Sequence, residues 1–413
     1  MAESVGAAAP VPLAIAPANR HVVGTIRICA GAELSLPTAT SYYLAETSTL
    51  PRADARPVAI WLLACCGLIF GMVVIGGITR LTWSGLSITE WQPVTGIVPP
   101  LSEAAWQAEF AKYQQIPQYK LLNSGMGLAD FRYIYLWEYV HRLWGRLIGF
   151  AYALPLVYFL IRRQIPRRLT APLIGIFVLG GAQGALGWYM VKSGLADRIE
   201  VSQYRLTAHL VLALAIYALT LWIALGLLAE SSVAAQTSGN RSPPTPASGA
   251  AAPACWRRAS ELLIALVALT ITAGGFVAGL NAGLTYNTFP LMDGRLVPAG
   301  YARLEPFVRN WFENVPAVQF DHRLLAETTV TAIVVVWLIG RRALLPHRAR
   351  RALHALGGVA LGQFTLGVST LLLVVPVPVA ALHQAGAVIL LTTAIVWRHT
   401  LRASRVGDVP VIA

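Results

Sequence analysis

Eight apolar stretches, each long enough to cross a lipid bilayer as an α-helix, dominate this sequence. They are predicted at 58–78, 136–161, 170–191, 206–229, 260–282, 319–339, 353–375 and 378–397. A helix of about 20 apolar residues spans the hydrocarbon core of a membrane. Charged residues make up only 12% of the 413 residues, about half of what a soluble domain carries. The sequence therefore predicts an all-α integral membrane protein with eight transmembrane helices.

The distribution of arginine predicts the orientation of these helices. The net charge is +13, and arginines cluster in the short loops that follow the second and sixth spans. Such loops face the cytoplasm in most membrane proteins, so we expect both termini to be cytoplasmic. The basic balance is therefore interpreted as an orientation signal, and no nucleic-acid partner is expected.

Composition also divides the chain into segments. Residues 1–57 are rich in alanine and proline and are predicted to form a disordered cytoplasmic tail, and 401–413 form a short C-terminal tail. Residues 230–258, rich in Ser, Ala, Pro, Gly and Thr, are predicted to form a flexible cytoplasmic linker. This linker separates a first half, 58–229, from a second half, 259–400.

The two halves repeat one another. EYVHRL at 138–143 returns as QFDHRL at 319–324, and a Gln-x-x-x-Gly pattern at 183–187 returns at 363–367. Each half contains an even number of spans, so both halves have the same orientation in the membrane. The sequence therefore predicts two pseudo-symmetric four-helix bundles related as a parallel repeat.

Four histidines occupy matching positions in this repeat. His141 and His209 in the first half, and His322 and His383 in the second, lie near the outer ends of even-numbered spans. A single intramembrane histidine is usually a hydrogen-bonded core residue, but two facing imidazoles per bundle can ligate a haem iron axially. Zinc is disfavoured because no further Cys, Asp or Glu ligand accompanies each pair, Glu138 excepted.

Other residues near the histidines fit a haem. Arg142 and Arg323 are predicted to pair with haem propionates, with snorkelling to the interface as the alternative. Glycines would make room for the ring or allow close helix packing: Gly145, Gly149, Gly180 to Gly187, Gly275 and Gly279.

The halves differ at the position one helical turn before the first histidine of each half. Glu138 in the first half is replaced by Gln319 in the second. A glutamate can accept a proton or stabilise positive charge, and a glutamine can do neither. We therefore expect chemistry in the first half and a fixed cofactor in the second. Arg146 and Glu327, also equivalent in the repeat, suggest an ion pair between the halves.

Two long loops, 79–135 and 283–318, are predicted to lie outside. The first contains Trp106, Phe110 and Tyr113 at helical spacing after a potential N-cap, Ser102. A short amphipathic helix is expected there, either covering the outer ends of the spans or lying on the membrane surface.

Together these motifs resemble the haem A synthase family, in the form shared by mitochondria and proteobacteria. The matching segments cover most of 58–400: GGITRLTWSGLSITEW (76–91), VTGIVPP (94–100), EYVHRLWGR (138–146), GWYMVKSGL (187–195), YRLTAHL (204–210), FVAGLNAG (276–283), YNTFPLMDG (286–294), QFDHRLLA (319–326) and LHQAGA (382–387). Some bacterial members carry a cysteine pair in each outer loop. This chain has no cysteine in either loop, so a mechanism that needs thiols there does not transfer to it.

The resemblance implies that the chain oxidises the C8 methyl group of haem O to a formyl group, giving haem A for cytochrome c oxidase. It implies that His141, His209 and Arg142 bind the substrate haem O, and that Glu138 is catalytic. It further implies that His322, His383 and Arg323 bind haem b as the electron-transfer cofactor, so that four histidines are iron ligands.

The resemblance also implies a cellular setting. A bacterial inner membrane is expected rather than a mitochondrial one, because Glu3, Glu33 and Glu46 are unusual in a mitochondrial presequence. Haem O synthase, cytochrome c oxidase assembly factors and membrane lipid are the expected partners.

Two other functions fit parts of the sequence. A di-haem electron-transfer cytochrome would explain four histidines but leaves Glu138 and the large outer loops without a role. A transporter would explain a parallel repeat, but it predicts polar residues near the middle of the membrane rather than at the outer ends.

Overall fold

The structure is a computed structural model, and it describes residues 55–92, 95–197, 199–238 and 253–402. The predicted C-terminal tail from 403, nearly all of the N-terminal tail and the middle of the linker lie outside the described residues. The described part is helical, with one isolated β-bridge between Met292 and Arg295 in an outer loop.

Eleven α-helices are found in the described residues. The first half contains α1 (Arg56–Leu81), α2 (Glu103–Tyr113), α3 (Pro117–Leu122), α4 (Leu128–Ile161), α5 (Arg167–Asp197) and α6 (Gln203–Ser238). The second half contains α7 (Ala254–Gly279), α8 (Asn310–Glu313), α9 (Val315–Gly340), α10 (His347–Leu372) and α11 (Val377–Thr400).

Eight of these helices are long and apolar enough to cross a membrane, and they coincide with the eight predicted spans. The all-α membrane fold is therefore confirmed. Among the helix starts, the largest difference is that of α4, which begins at Leu128, eight residues before the predicted span at 136. Its extra turns pack against a loop rather than lipid, so hydrophobicity alone did not reveal them. Both ends of the predicted linker are helical, because α6 continues to Ser238 and α7 begins at Ala254.

The helices pack in the order that a duplication would produce. In the first half α1 packs against α4 and α6, and α5 against α6; in the second half α7 packs against α9 and α11, and α10 against α11. The halves meet where α1 contacts α11 and where α6 contacts α7 and α11. Exchanging the two halves maps these contacts onto one another. The pseudo-symmetry of the bundles remains a prediction that this packing supports.

The apolar core lies at the end of the bundle opposite the histidines. Its fully buried members come from both halves and include Leu62, Leu173, Leu227, Ile333 and Trp397. Because this core joins the two bundles away from the site, it can hold the helices while the opposite end stays open for ligands.

The first outer loop forms a lid, defined here as α2, α3 and the outer turns of α4. Ser102 caps α2 as predicted, accepting a hydrogen bond from the Ala105 amide at 3.2 Å. The ring centroids of Trp106 and Tyr135 are 5.0 Å apart, and so are those of Phe110 and Phe131. The aromatic face of α2 is therefore packed against α4, which favours the covering role over an isolated helix on the membrane surface.

Candidate functional site

In the first half, both predicted ligand histidines rest against a glycine of the neighbouring helix. His141 of α4 faces Gly76 of α1, where an added Cβ would lie 3.5 Å from the ring atom Cε1. His209 of α6 faces Gly187 of α5, where an added Cβ would lie 3.0 Å from Cε1. The absence of a side chain at each glycine allows the imidazole to approach the adjacent helix closely.

The second half repeats this contact. An added Cβ at Gly274 of α7 would lie 3.0 Å from Cε1 of His322, and one at Gly367 of α10 would lie 2.9 Å from Cε1 of His383. Each imidazole therefore has a seat of the same kind, supplied by the helix that precedes its own among the spans.

One cavity of about 1200 Å³ is lined by all four histidines. His141 lies close enough to His209 for their charges to interact, and His322 lies equally within range of His383. These are the predicted pairs. Cavities that bind small molecules usually measure about 300–1,000 Å³, so this one is large enough for more than one such ligand. Among the described residues no three metal-binding side chains converge, and each pair lacks a third protein ligand.

The rings of the second-half histidines are held by hydrogen bonds. Nδ1 of His322 lies 3.2 Å from the carbonyl oxygen of Thr270, and Nδ1 of His383 lies 3.1 Å from the side-chain amide of Gln363. The Thr270 carbonyl oxygen accepts from Nδ1 of His322, which orients this ring and leaves Nε2 for a metal. The Gln363 amide instead donates to Nδ1 of His383, which holds the ring but leaves its proton on Nε2. In the first half, Nδ1 of His209 is buried and has no hydrogen-bond partner within the described residues.

A glutamine fixes the backbone beside the second histidine of each pair. Gln183 Nε2 donates to the carbonyl oxygen of His209 at 3.0 Å, and Gln363 Nε2 donates to that of His383 at 2.9 Å. The predicted Gln-x-x-x-Gly pattern thus has a structural basis in both halves, since its glutamine and its glycine contact the same histidine.

Glu138 lines the cavity, but both of its carboxylate oxygens are engaged. Oε2 accepts hydrogen bonds from Ser87 Oγ and the Ile88 amide, each at 2.8 Å. Oε1 accepts from Arg142 Nη2 at 2.6 Å. The side chain is only 3% exposed, so this carboxylate is a buried charge neutralised by Arg142 and by the outer loop.

The equivalent Gln319 reverses the polarity of this contact. Its amide Nε2 donates to the carbonyl oxygen of Thr285 at 2.5 Å, and its Oε1 is buried without a partner in the described part of the chain. In the first half the loop donates to a carboxylate, whereas in the second half an amide donates to the loop. The predicted difference between the halves is therefore reflected in their hydrogen bonds.

Arg142 and Arg323 both bind the outer loop of their own half. Arg142 donates to the carbonyl oxygens of Ile88 at 2.9 Å and Glu90 at 3.0 Å. Arg323 donates to those of Tyr286 and Thr288, the latter at 2.9 Å. These guanidinium groups tie the loops over the cavity, a role that the sequence analysis did not anticipate.

One donor of Arg323 is left over. Its Nε is buried and unpaired within the described residues, whereas the Nε of Arg142 donates to Glu138 at 3.1 Å. The prediction that both arginines pair with propionates therefore has a free donor to support it only at Arg323.

The predicted glycines serve two purposes. Added Cβ atoms at Gly149, Gly180 and Gly184 would meet no atom within 4 Å, so these positions border open space. An added Cβ at Gly275 would lie 3.0 Å from Thr207 Oγ1, and one at Gly279 would lie 2.6 Å from Gln203 Cβ. The last two glycines therefore allow α7 to pack closely on α6 and do not make room for a ring.

The suggested ion pair between the halves is not formed. Arg146 Nη2 donates to the carbonyl oxygen of Gln92 at 2.9 Å, and the ion pairs of the described residues do not include one between Arg146 and Glu327. The halves are instead joined by Arg80, which pairs with Glu200 at 2.7 Å and donates to Asn281 Oδ1 at 3.0 Å.

Of the loop and seating residues, Ser87, Ile88, Gly76, Gly274 and Gly367 were not assigned roles from the sequence, whereas Gly187 was predicted to make room for the ring or allow close packing. A signal for the loop residues was present, because the segment after α1 aligns with the segment after α7. Trp83 and Asn281 are equivalent in that alignment, and both have a left-handed backbone, with φ of 58° and 52°. The repeat therefore extends beyond the helices into the outer loops.

The described residues fit a haem in each half. Each pair of imidazoles supplies two nitrogen ligands from facing helices. An added Cβ would crowd the rings of His209, His322 and His383, and it would be in ordinary contact with that of His141. The unpaired Nε of Arg323 is a donor suited to a carboxylate, and the cavity offers the volume that a flat macrocycle needs.

Comparison with known proteins identifies the family. The family model described as cytochrome oxidase assembly protein matches residues 59–395. Proteins named heme A synthase are 51% identical over 363 residues in Nitrosospira multiformis (86% of this chain, 98% of the relative) and 49% identical over 372 residues in Rhodospirillum centenum (88% and 94%). A mouse protein of the same name is 44% identical over 364 residues (86% and 85%). The chain therefore belongs to the haem A synthase family of cytochrome oxidase assembly proteins, and it is a membrane enzyme of haem A biosynthesis.

Proposed function

We propose that this enzyme oxidises the C8 methyl group of haem O to a formyl group, with haem O bound in the first half and haem b in the second. The observation that supports this assignment is the difference between two similar sites. The second site has both imidazole rings hydrogen-bonded and Gln319 at the position of Glu138, as suits a permanent cofactor. The first site has a buried carboxylate and a histidine ring without a partner, as suits a ligand that must be exchanged and transformed.

In this proposal His322 and His383 hold the haem b iron, and Arg323 Nε binds a propionate. When bound, haem b supplies electron transfer away from the oxidised substrate. His141 and His209 hold the substrate porphyrin, so that its edge lies beside Glu138.

Glu138 contributes negative charge at the edge of the first site. Oxidation of a methyl group to a formyl group removes electrons and protons from the carbon, so positive charge develops there before water adds. A carboxylate in a dry site stabilises such charge strongly, because it does not have to reorient. Arg142 and Ser87 keep the carboxylate in place, and the tie to the outer loop excludes water from the cavity.

We further propose that the enzyme lies in a bacterial inner membrane with both termini in the cytoplasm. The arginine-rich loops support this orientation. The histidines and the lid would then lie at the non-cytoplasmic surface.

The test is to purify the full-length protein, extract its haems and identify each by chromatography. The expected result is haem b together with haem O or haem A. His322→Ala and His383→Ala should lose haem b, whereas His141→Ala and His209→Ala should keep it and lose the substrate haem. Two identical, permanently bound haems would instead establish a di-haem cytochrome.

A further inference from the structure

The walls of the two sites differ in size at equivalent positions, and this difference carries a further inference that rests on the proposed function. On α4, Gly145 and Gly149 follow His141 at the spacings at which Ala326 and Val330 follow His322 on α9. Gly145, Ala326 and Val330 are partly buried, and Gly149 is exposed. The helix that carries the first histidine of each pair therefore has smaller residues at these positions in the first half than in the second.

The neighbouring helix shows the same difference more strongly. Gly180 and Gly184 on α5 are both exposed cavity-lining residues, with no atom within 4 Å of an added Cβ. Their equivalents on α10 are Ala360, which is 2% exposed, and Phe364, whose ring packs against Phe289 with centroids 6.0 Å apart. At these positions side chains therefore occupy the space in the second half, whereas the first half has open space.

Helix packing agrees with the side chains. α9 and α10 contact each other over a more extensive interface than α4 and α5 do. The seam between α4 and α5 is closed at the end away from the histidines, where Tyr152 donates to the Leu173 carbonyl oxygen at 3.0 Å and stacks on Phe177 at 6.2 Å. At the lid, Val191 and Leu195 of α5 join the cluster that contains Ile134 and Tyr135 of α4.

The cavity reaches the outside of the bundle along this seam. Val178 of α5 lines the cavity, yet it is 62% exposed, and Gly181 beside it is also exposed and lines the cavity. These positions lie within the membrane-spanning part of α5, so the surface that they reach is covered by lipid. In this half of the cavity Nδ1 of His209 is buried without a hydrogen-bond partner in the described residues, so this ring is held by fewer hydrogen bonds than those of the second half.

We propose that the seam between α4 and α5 is a lateral portal, through which a porphyrin bearing a long hydrocarbon tail passes between the bilayer and the first site. Such a tail is stable in lipid and costly to expose to water, so a route along the membrane plane avoids that exposure. The second half has no equivalent opening because Ala360, Phe364 and Val330 fill it. Its porphyrin is therefore retained, while that of the first half exchanges.

The test places a bulky covalent label at the portal. Gly181→Cys is purified as the full-length protein, reacted with pyrene maleimide, and then mixed with haem O while its uptake is followed by the Soret absorbance. Loading should slow on the order of tenfold or more, as expected when an access route is gated. Leu361→Cys, at the equivalent position of α10, is labelled as the matched control, and the parent protein treated with the reagent controls for the native cysteines.

The order of labelling separates a portal from a binding pocket. Label added after haem O has bound should leave occupancy unchanged and slow its release. The proposal is overturned if labelled Gly181→Cys loads as fast as labelled Leu361→Cys. It is also overturned if labelling expels bound haem O. Val178→Cys provides a second position should Gly181→Cys fail to retain the haem b spectrum, and failure of the parent protein to take up haem O would refute the proposed function instead.

Discussion

Glu138 is both a charge beside the first site and an anchor for the outer loop. Replacing it with alanine would leave the guanidinium of Arg142 buried beside an empty space, at a cost of about 3–5 kcal/mol. Loss of activity in that variant would not separate chemistry from misfolding. Glutamine is the better replacement, because the second half already uses Gln319 at this position.

We predict that Glu138→Gln retains both haem sites but lowers haem A formation by roughly 10²-fold or more, the usual effect of removing a catalytic acid or base. Haem A is measured by chromatography of extracted haems, and site occupancy by absorption spectra. Gln319→Glu is the reciprocal variant: it loses the donor to the carbonyl oxygen of Thr285 and should therefore lower haem b content in the second half. Normal haem A formation by Glu138→Gln would refute the catalytic role.

The seating glycines give a second prediction about single residues. Gly187→Ala would place a Cβ 3.0 Å from His209, and Gly367→Ala would place one 2.9 Å from His383. Overpacking of this kind costs about 1–3 kcal/mol, which corresponds to a weakening of haem binding by roughly tenfold or more.

Each substitution should affect only its own half. Gly187→Ala is expected to lose the substrate haem and keep haem b, and Gly367→Ala the reverse, as measured by haem content after purification. Equal losses of both haems in either variant would contradict the assignment of one site to each half.

Among the elements, the lid depends on one buried phenol. Tyr113 is 0% exposed; its hydroxyl donates to Gln118 Oε1 at 3.1 Å and accepts from Asn123 Nδ2 at 2.7 Å. Burial raises the pKa of Tyr113, so it remains a neutral hydroxyl at physiological pH. Gln118 in turn donates to the carbonyl oxygen of Trp83, which connects the lid to the loop after α1.

We predict that Tyr113→Phe leaves Gln118 and Asn123 without this partner and destabilises the lid by about 1–3 kcal/mol. Limited proteolysis between 99 and 127 should become faster, while the spectrum of haem b is unchanged. Tyr133→Phe, at an exposed tyrosine of α4, is the control. Equal cleavage rates in the two variants would show that this network does not hold the lid.

The elements were more predictable than their contacts. Eight spans follow from hydrophobicity because lipid imposes one requirement on every residue that it touches. The start of α4 did not follow, since its first turns pack against Trp106 and Phe110 and therefore depend on where the lid folds. The capped helix α2 was predictable because Ser102 and the aromatic spacing are local signals.

The candidate site was predictable where the repeat compared two copies. The four histidines and the difference between Glu138 and Gln319 could be read from the sequence, and the cavity brings these residues together. The hydrogen bonds of Glu138 to Ser87 and Ile88 could not, because they join residues about 50 positions apart. The sequence left open whether Gly275 and Gly279 make room for a ring or allow close helix packing, since a glycine that borders a cavity and one that borders a helix look alike in sequence.

At the scale of the whole molecule, the proposed function requires the two halves to stay together, so that electrons can pass between their sites. The interface contains a hydrogen bond from Gln384 Nε2 to the carbonyl oxygen of Val73 at 2.8 Å, beside His383. At the outer surface, Arg80 of α1 binds Glu200 and also donates to the Ala278 carbonyl oxygen at 3.1 Å. These contacts join residues from both halves, whereas α6 ends at Ser238 and α7 begins at Ala254 at the opposite end of the bundle.

Arg80 should therefore contribute to stability more than a typical surface arginine does. Its side chain is 13% exposed and that of Glu200 is 22% exposed, so the pair is largely withdrawn from water. Removing one member of a buried pair costs about 3–5 kcal/mol, because its partner is left unpaired. The pair between Arg168 and Glu230 lies within the first half and is 61% and 45% exposed, and such pairs contribute about 0–1 kcal/mol.

We predict that Arg80→Gln lowers the midpoint of thermal unfolding by roughly 5 °C or more, whereas Arg168→Gln changes it by about 2 °C or less. The purified haem-containing protein is heated while the spectrum of each haem is followed. Because Arg80 binds both halves, the two haem signals should be lost together in the parent protein and at separate temperatures in Arg80→Gln. Equal shifts in the two variants would show that the halves are held by their apolar contacts alone.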